Sequence, residues 1–265
     1  PDGLIASEVV EWPTVNGTTV YGVLYRAASS EAPRPLLTSI HGGPTSESAN
    51  GWNSQAQYFA GRGWHYLAVN HRGGTGSGRA YQDLLNESWG VVDVEDARSG
   101  AEYLIEQGLA DPKRVAITGG SAGGYTTLMA LVRGPDFWAA GVSLYGIGDL
   151  YECRVGSHRF ERLYEDTTVG PLPETAERWV ERSALTHAGK VRAPVLLFHG
   201  KEDKAVPYQQ SVDFAEAVRA RGGIAELVLY EDEGHGFSKE ANRRDQIDKM
   251  EAFLEKYVIH LQGRR

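Results

Sequence analysis

The segment RVAITGGSAGGY, residues 114–125, decides the fold prediction. Its apolar first half is typical of a buried strand, and its glycine-rich second half predicts a sharp turn into a helix. In a Gly-x-Ser-x-Gly turn the serine adopts a strained backbone and presents its hydroxyl clear of the sheet edge. Gly119 and Gly123 suit this turn because a Cβ there would collide with a neighbouring strand or helix. Ser121 is therefore predicted to be the nucleophile of an acyl-transfer enzyme.

The same turn leaves other interpretations open. It could be a plain strand-to-helix connection, or an anion-binding loop of the Rossmann or Walker type. The Lys-Ser/Thr ending of a Walker loop is absent, and Ser121, Ala122 and Tyr125 break the glycine spacing of a Rossmann loop. A non-catalytic binding module that keeps only the fold is a further alternative, which a broken set of catalytic residues would favour.

Length and composition set broad limits. The chain has 265 residues, of which 41% are hydrophobic, so it can bury the core of one large domain spanning residues 1–265. No stretch approaches the ~20 continuous apolar residues of a membrane-spanning helix. The net charge of −8 argues against a nucleic-acid partner, because Lys and Arg form no cluster larger than an adjacent pair such as Arg264 and Arg265. We expect the acidic excess, including the segment 231–233, to be solvated surface.

The chain contains a single cysteine, Cys153, which excludes an intrachain disulfide. A lone cysteine is typical of a reducing compartment, so we expect a cytoplasmic protein. The sequence has neither a His-Glu-x-x-His motif nor paired cysteines, which argues against a metal site. No cofactor is expected, because serine acyl transfer needs none.

Strands and helices are predicted to alternate along most of the chain. Two β-rich runs, 8–12 and 18–26, flank an Asn16-Gly17 turn and predict an antiparallel hairpin. Further strands are predicted at residues 36–40, 64–69, 114–118, 139–145, 194–199 and 225–230. Helices are predicted at residues 51–62, 91–107, 122–132, 208–221 and 243–261. This order indicates an α/β fold, a mostly parallel sheet after the hairpin with helices on both faces.

Residues 146–190 interrupt the alternation. This segment is long and polar, it carries Tyr151, Phe160, Tyr164 and Trp179, and it separates two strands that should be neighbours. We predict an excursion over the mouth of the active site. A helical insert whose aromatic side chains pack into a small core of their own is the alternative.

A serine nucleophile needs a base to take its proton and a carboxylate to orient that base. Asp203 follows a predicted buried strand and is the preferred carboxylate, with Glu202 as its local competitor and an ordinary solvated loop charge as the alternative for either. His235 follows the last predicted strand, which completes the chain order Ser, Asp, His of this architecture. Three other strand-end histidines, His41, His71 and His199, are more typical of structural roles.

The tetrahedral intermediate needs hydrogen-bond donors for its oxyanion. The turn places the amide of Ala122 at the N-terminus of a helix, where the helix dipole also favours negative charge. A second amide is expected from the loop His41-Gly42-Gly43-Pro44. Pro44 has no N–H, so either Gly43 or Gly42 would donate, unless the loop is a simple turn.

Several stretches together resemble the catalytic domain of the prolyl oligopeptidase family of serine peptidases, and most closely its acylaminoacyl-peptidase and dipeptidyl-aminopeptidase branch. The resemblance rests on residues 41–44, 70–78, 119–124, 181–185, the Asp203 loop and residues 234–237. It implies an α/β-hydrolase fold and a cofactor-free hydrolase that cleaves short peptides or N-acylated or aminoacyl amides, with carboxylesterase action on small acyl esters as the alternative. Site roles implied by the resemblance are nucleophile for Ser121, base for His235, orienting acid for Asp203, and oxyanion amides for Gly43 and Ala122.

One feature of that family is missing from this chain. Its members normally carry an N-terminal β-propeller that restricts access to the site, whereas residues 1–5 look like the junction that follows a propeller. We therefore expect a catalytic domain separated from a longer precursor, with a propeller domain or fragment as a candidate partner. The sequence leaves open whether the chain forms homo-oligomers, which residue it prefers at the scissile bond, and whether it acts at chain ends or internally.

Overall fold

The structure of the protein, a computed structural model, describes residues 3–14, 16–28, 33–156 and 159–261. Pro1 and Asp2, at the start of the predicted junction, lie outside the described residues. So do Val15 in the predicted hairpin turn and the basic pair Arg264 and Arg265.

One sheet of eight strands runs through the described part of the chain, in the order β1-β2-β4-β3-β5-β6-β7-β8. The strands are β1 Ser7–Pro13, β2 Thr19–Tyr25, β3 Arg34–Ile40, β4 His65–Asn70, β5 Ala110–Gly120, β6 Ala140–Leu144, β7 Val195–Gly200 and β8 Ala225–Tyr230. Strand β2 pairs antiparallel with both β1 and β4, and every pairing from β4 to β8 is parallel. The predicted hairpin and mostly parallel sheet are confirmed, and the carboxyl ends of β3 to β8 meet along one edge.

Nine α-helices surround the sheet within the same ranges. They are α1 Ser54–Ala60, α2 Arg79–Gln82, α3 Val92–Glu106, α4 Ala122–Arg133, α5 Leu150–Gly156, α6 Arg159–Thr168, α7 Ala176–Glu181, α8 Gln209–Ala220 and α9 Glu240–Leu254. Two 3-10 turns cover residues 83–85 and 184–190, and a π-helical turn covers residues 255–259. Within the described ranges, none of the helices has the length and apolar character needed to span a bilayer.

Two apolar clusters hold the helices against the sheet. On one face α3, α4 and α8 contribute Leu104, Leu128 and Phe214, all fully buried. On the other face, α1 and α9 contribute Phe59 and Leu254. The prediction of helices on both faces is confirmed, because each face of the sheet has its own buried core.

Several predicted boundaries are wrong. Helix α1 begins at Ser54 because the Asn53 side chain accepts a hydrogen bond from the Ala56 N–H at 3.0 Å and caps the helix. Strand β5 begins four residues before its predicted start, and the short helix α2 has no counterpart in the prediction. Helix α9 begins three residues earlier than predicted and ends in the π turn at Glu255.

The expectation that segment 231–233 is solvated is wrong for Glu233, which is only 1% exposed. Its carboxylate accepts hydrogen bonds from the N–H groups of Ser238 and Lys239, both at 2.9 Å, and from Asn242 Nδ2 at 2.9 Å. These donors belong to the first residues of α9 and the turn before it, where a carboxylate satisfies otherwise unpaired amides. Glu233 therefore fixes the start of α9 and closes the loop that carries His235.

The loop of residues 70–78 is anchored by a buried ion pair. Arg72 and Asp96 are both buried, and Arg72 Nη2 is 2.8 Å from Asp96 Oδ1. The Arg72 main-chain N–H also donates to Asp96 Oδ2 at 2.7 Å. Because Asp96 lies in α3, this pair ties the loop after β4 to a helix packed on the sheet.

Candidate active site

Ser121 lies at the turn between β5 and α4. Its φ of +56° and ψ of −121° form a combination that residues other than glycine rarely adopt. Two backbone hydrogen bonds hold it there: the Ser121 N–H donates to Leu144 O at 2.9 Å, and the Ser121 carbonyl accepts from the Tyr125 N–H at 3.0 Å. The strained serine is therefore fixed by β6 on one side and by the first turn of α4 on the other.

Gly119 and Gly123 permit this turn because they lack side chains. A Cβ on Gly119 would overlap the backbone of Gly123, and a Cβ on Gly123 would overlap the carbonyl oxygen of Ile40. Both obstacles are backbone atoms, so no change of side-chain rotamer could relieve the overlap. Strand β5 and helix α4 can meet at Ser121 because both positions are glycine.

His235 lies in the loop between β8 and α9. Its Nδ1 is 2.8 Å from Asp203 Oδ2, and its Nε2 is 2.8 Å from Ser121 Oγ. Because an ionised carboxylate can only accept, Nδ1 carries the ring hydrogen and Nε2 is left to accept the serine proton. The ring of Tyr145 contacts the imidazole edge-on, with 5.0 Å between ring centroids. The imidazole is thus held at both nitrogens and against an aromatic ring.

Asp203 follows β7, and its carboxylate is fully buried. Oδ1 accepts hydrogen bonds from the N–H groups of Ala205 and Val206, both at 2.9 Å. Burial by itself would raise the pKa of Asp203, but hydrogen bonds from His199, His235 and Val206 outweigh it and hold that pKa well below its usual range. A charged carboxylate therefore faces His235 Nδ1.

The competing candidates lie elsewhere. Glu202 has an exposed side chain, and its main-chain N–H donates to Glu233 O at 2.9 Å. The rings of His41 and His71 stack on each other, with their centroids 4.4 Å apart. The structure thus brings together Ser121, His235 and Asp203, and it does not place Glu202 at the imidazole.

The loop after β3 lies against the turn that carries Ser121. Gly43 has a φ of +121°, the Gly43–Pro44 peptide bond is cis, and both residues line a cavity beside Ser121 together with Ala122. A Cβ placed on Gly42 would be 3.5 Å from the Cβ of Ser121, so this loop backbone runs directly beside the serine. The choice between the Gly42 and Gly43 amides as oxyanion donor stays a prediction.

A cavity of about 180 Å³ adjoins Ser121 and His235. Its walls are largely apolar, with a tyrosine hydroxyl and a carboxylate among them. The remaining lining residues are Trp89, Ile147, Cys153, Tyr164, Glu165, Ala205 and Val206. Such a pocket accommodates one apolar side chain better than a charged one.

The segment of residues 146–190 contributes to this cavity through Ile147, Cys153, Tyr164 and Glu165. Tyr164 also reaches the loop after β3, because its hydroxyl accepts from the Thr45 N–H at 3.2 Å and donates to Thr45 Oγ1 at 3.0 Å. Trp179 is instead buried at 1% exposure, Tyr151 is 54% exposed, and the side chain of Phe160 lies outside the described residues. Tyr164 therefore lines the cavity, Trp179 packs in the interior, and the excursion over the mouth of the site stays a prediction.

Three residues near the site escaped sequence reasoning. Trp89 lines the cavity from the turn before α3, and nothing in its local sequence indicates this. Tyr145 follows β6, and its contact with His235 requires the strand order to be known. The sequence predicts a structural role for His199, yet its Nε2 is 3.3 Å from Asp203 Oδ2. The sequence signal for this contact is that His199 precedes Asp203 by four residues.

A mostly parallel sheet between two layers of helices, with a strained serine at a strand-to-helix turn, defines the α/β-hydrolase class. The chain belongs to the prolyl oligopeptidase family, whose sequence profile matches residues 50–260. Dipeptidyl aminopeptidase BIII of Pseudoxanthomonas mexicana is 33% identical over 264 residues, which cover 93% of this chain and 38% of that protein. The predicted family is therefore confirmed.

Similar solved structures also belong to peptidases. The puromycin-hydrolyzing peptidase of Mycobacterium tuberculosis is similar with a TM-score of 0.92 and 36% identity, over 96% of this chain and 39% of that one. The acylaminoacyl peptidase of Pyrococcus horikoshii is similar with a TM-score of 0.89 and 25% identity, over 96% of this chain and 42% of that one. The chain thus spans about two fifths of the length of these relatives.

Within the described residues, no cluster of His, Cys, Asp and Glu could hold a metal ion.

Proposed function

We propose that the chain is the catalytic part of a serine peptidase that cleaves short peptides or N-acylated or aminoacyl amides through an acyl-enzyme on Ser121. The observation that supports this most strongly is the chain of two 2.8 Å contacts from Ser121 Oγ through His235 to the Asp203 carboxylate. A serine hydroxyl is a weak nucleophile until a base can take its proton, and this arrangement supplies that base in the required tautomer.

In the proposed acylation step, Ser121 Oγ attacks the carbonyl carbon while its proton moves to His235 Nε2. The charged imidazole is stabilised by the buried carboxylate of Asp203. As the tetrahedral intermediate collapses, the bond to the leaving amine breaks and His235 gives its proton to the amine nitrogen. An ester bond between Ser121 and the acyl group remains, and the amine departs.

In the proposed deacylation step, water takes the position of the amine. His235 accepts a proton from the water while the water oxygen attacks the acyl carbon. The bond between that carbon and Ser121 Oγ then breaks, His235 returns its proton to Oγ, and the carboxylic acid departs. We assign the oxyanion in both steps to the amides of Ala122 and Gly43. Two facts support this assignment: Ala122 is the first residue of α4, where N–H groups are unpaired, and both residues line the cavity beside Ser121.

The proposed substrate class combines two observations. The relatives named above are a dipeptidyl aminopeptidase and an acylaminoacyl peptidase, which points to amide substrates of small size. The cavity of about 180 Å³ is smaller than the roughly 300 Å³ at which pockets begin to enclose a drug-sized ligand. It would therefore hold one apolar side chain of the acyl part, with the rest of the substrate outside.

We further propose that residues 1–265 form a single α/β-hydrolase domain, with the segment of residues 146–190 over the mouth of the site. The contacts of Tyr164 with Thr45 support this, since they join that segment to the loop beside Ser121. Limited proteolysis tests it: cleavage within residues 146–190 before any cleavage of the sheet, with altered substrate preference, is expected. Independent unfolding transitions for two parts of the chain would contradict a single domain.

A fluorophosphonate probe tests the central proposal. One probe molecule should attach to the wild-type protein at Ser121, and Ser121→Ala should abolish the attachment and lower kcat/KM on aminoacyl amides by at least about 10⁴-fold. Ser77→Ala, which removes the hydroxyl of an exposed serine, is the matched control and should label normally. Labelling that survives in Ser121→Ala would refute the proposed nucleophile. A panel of acylaminoacyl amides, dipeptidyl amides and short-chain esters then tests the substrate class, and turnover of esters without amides would contradict it.

A further inference from the structure

Asp203 contacts a second histidine besides His235. His199 is fully buried in β7, and its Nε2 lies 2.9 Å from Val206 O and 3.3 Å from Asp203 Oδ2. Its other ring nitrogen, Nδ1, is 2.7 Å from Ser211 Oγ. Ser211 is also buried and belongs to α8. The orienting acid is thus connected, through His199, to a helix packed behind the sheet.

The surroundings of His199 determine its tautomer. Nε2 faces a carbonyl and a carboxylate, which can only accept, so Nε2 must carry the hydrogen and shares it between Val206 O and Asp203 Oδ2. Nδ1 faces a hydroxyl, so in the neutral ring it accepts the Ser211 hydrogen. A hydroxyl at one nitrogen and two acceptors at the other leave a single orientation for the ring.

Four donor groups consequently hold the Asp203 carboxylate. Oδ1 accepts from the N–H groups of Ala205 and Val206, and Oδ2 accepts from His235 and faces the His199 hydrogen. Val206 takes part twice, because its N–H donates to Asp203 while its carbonyl accepts from His199. Rotation of the carboxylate about its Cβ–Cγ bond would break contacts on both oxygens.

We propose that His199, oriented by Ser211, is a positioning residue that fixes the Asp203 carboxylate toward His235. This inference rests on the proposed function of Ser121, His235 and Asp203 as a hydrolytic set. His199 has no contact with Ser121, so it acts through Asp203 and not on the substrate. Without it, the carboxylate can turn away from Nδ1, and the imidazole loses the tautomer and the direction that proton transfer requires.

His199→Phe tests the proposal, since a phenyl ring fills a similar volume but cannot donate. We expect kcat to fall about 10-fold to 100-fold while KM changes by less than about two-fold, because the lost interaction matters for proton transfer and not for binding. The acid limb of the kcat/KM profile should also move, because Asp203 would present its charge to His235 differently. His199→Gln, whose side-chain amide can donate in place of Nε2, should restore most of kcat.

Two matched controls separate positioning from loss of packing. His65 is a second buried histidine, at the start of β4, which three strands separate from β7 in the sheet. Its Nδ1 accepts from the Ala27 N–H at 3.0 Å. His65→Phe should lower the denaturation midpoint but leave kcat and the pH profile unchanged. Ser99 is the control for Ser211. It also lies in a helix, and its hydroxyl oxygen accepts a hydrogen bond from a ring nitrogen, Trp12 Nε1.

Ser211→Ala keeps the proposal testable if His199→Phe fails to fold. It removes the hydroxyl that orients His199 and should lower kcat about three-fold to ten-fold, whereas Ser99→Ala should have no effect on kcat. Unchanged kcat and an unchanged pH profile in both His199→Phe and Ser211→Ala would overturn the inference. Equal losses of kcat in these variants and in the two controls would overturn it as well, since they would indicate general destabilisation.

A measurement without turnover separates this inference from the proposed function. In protein labelled with ¹⁵N-histidine, the His235 Nδ1 hydrogen bonded to Asp203 should give a low-field proton resonance. We expect His199→Phe to shift or broaden it, and His65→Phe to leave it in place. If the resonance depends on His199 while the wild-type protein does not react with fluorophosphonate, the proposed function fails and the positioning stands. If the wild-type protein reacts and the resonance is unaffected in His199→Phe, the positioning fails and the proposed function stands.

Discussion

The stacked pair His41 and His71 should make the fold sensitive to acid. Each ring donates its Nδ1 hydrogen to a neighbouring carbonyl, at 2.9 Å to Gly42 O and at 2.8 Å to Arg72 O. The Nε2 atoms of both rings are buried and find no hydrogen-bond partner among the described residues. A second proton on either ring would therefore be buried without an acceptor. Burial lowers the pKa of His71 to about 4, and burial together with the neighbouring His71 lowers the pKa of His41 to about 3.

These pKa values give the size and the sign of the effect. The ordinary pKa of 6.5 applies in the unfolded chain, so the folded state binds protons more weakly. The stabilisation is complete above pH 6.5 and is lost as the pH falls through that value toward the pKa of the folded state. Between about pH 7.5 and about pH 5, each ring should remove about 2 kcal/mol from the free energy of unfolding, or about 4 kcal/mol for the pair.

Urea denaturation of wild-type protein and His71→Phe at these two pH values measures the effect. The change in the free energy of unfolding between the two pH values should be about 2 kcal/mol smaller in His71→Phe than in the wild type. One titrating ring is gone, and carboxylates affect both proteins alike. His260→Gln, a change at an exposed histidine, is the control and should leave the difference unaltered. A wild-type pH difference that persists in full in His71→Phe would refute the reasoning, because the fold would then accept the charged ring.

Two further predictions concern the backbone around the serine. Gly123→Ala should destabilise the protein by more than about 3 kcal/mol and prevent fluorophosphonate labelling, since its Cβ would overlap Ile40 O, whereas Gly134→Ala, with its nearest neighbour at 3.4 Å, should label normally. Normal labelling and an unchanged denaturation midpoint in Gly123→Ala would contradict the role given to that glycine. Tyr164→Phe should lower kcat about five-fold, the equivalent of about 1 kcal/mol, because two hydrogen bonds to Thr45 beside the loop after β3 are lost. The exposed Tyr151 provides the control, and an equal loss in Tyr151→Phe would show that the Thr45 contacts do not matter.

The sequence predicts the fold well because its signals are local. The run of residues 114–118, the glycines around Ser121 and the Asn16-Gly17 turn each report a conformation of a few neighbouring residues. Boundaries are less predictable, since they depend on contacts with distant parts of the chain. The start of α9 shows this, because its amides are satisfied by Glu233, which looks from the sequence like one of three solvated acids.

The candidate site is also predictable from the sequence only in part. Ser121, Asp203 and His235 can be proposed from strand ends because a parallel sheet brings those ends to one edge. Trp89 and Tyr145 could not be, since their nearness to the site depends on strand order and on how the segment of residues 146–190 folds back. The roles assigned to Ser121, Asp203, His235, Gly43 and Ala122 stay predictions.

The order of strands explains why the three polar residues meet at hydrogen-bonding distance. Ser121 follows β5, Asp203 follows β7 and His235 follows β8, and the sheet places β6 between the serine and the acid. Strand β6 therefore separates the two strand ends, and the loop after β8 brings the His235 imidazole into contact with both side chains. Tyr145, which follows β6, contacts the His235 ring edge-on. A residue at the end of the intervening strand therefore contacts the imidazole of His235 in addition to Ser121 and Asp203.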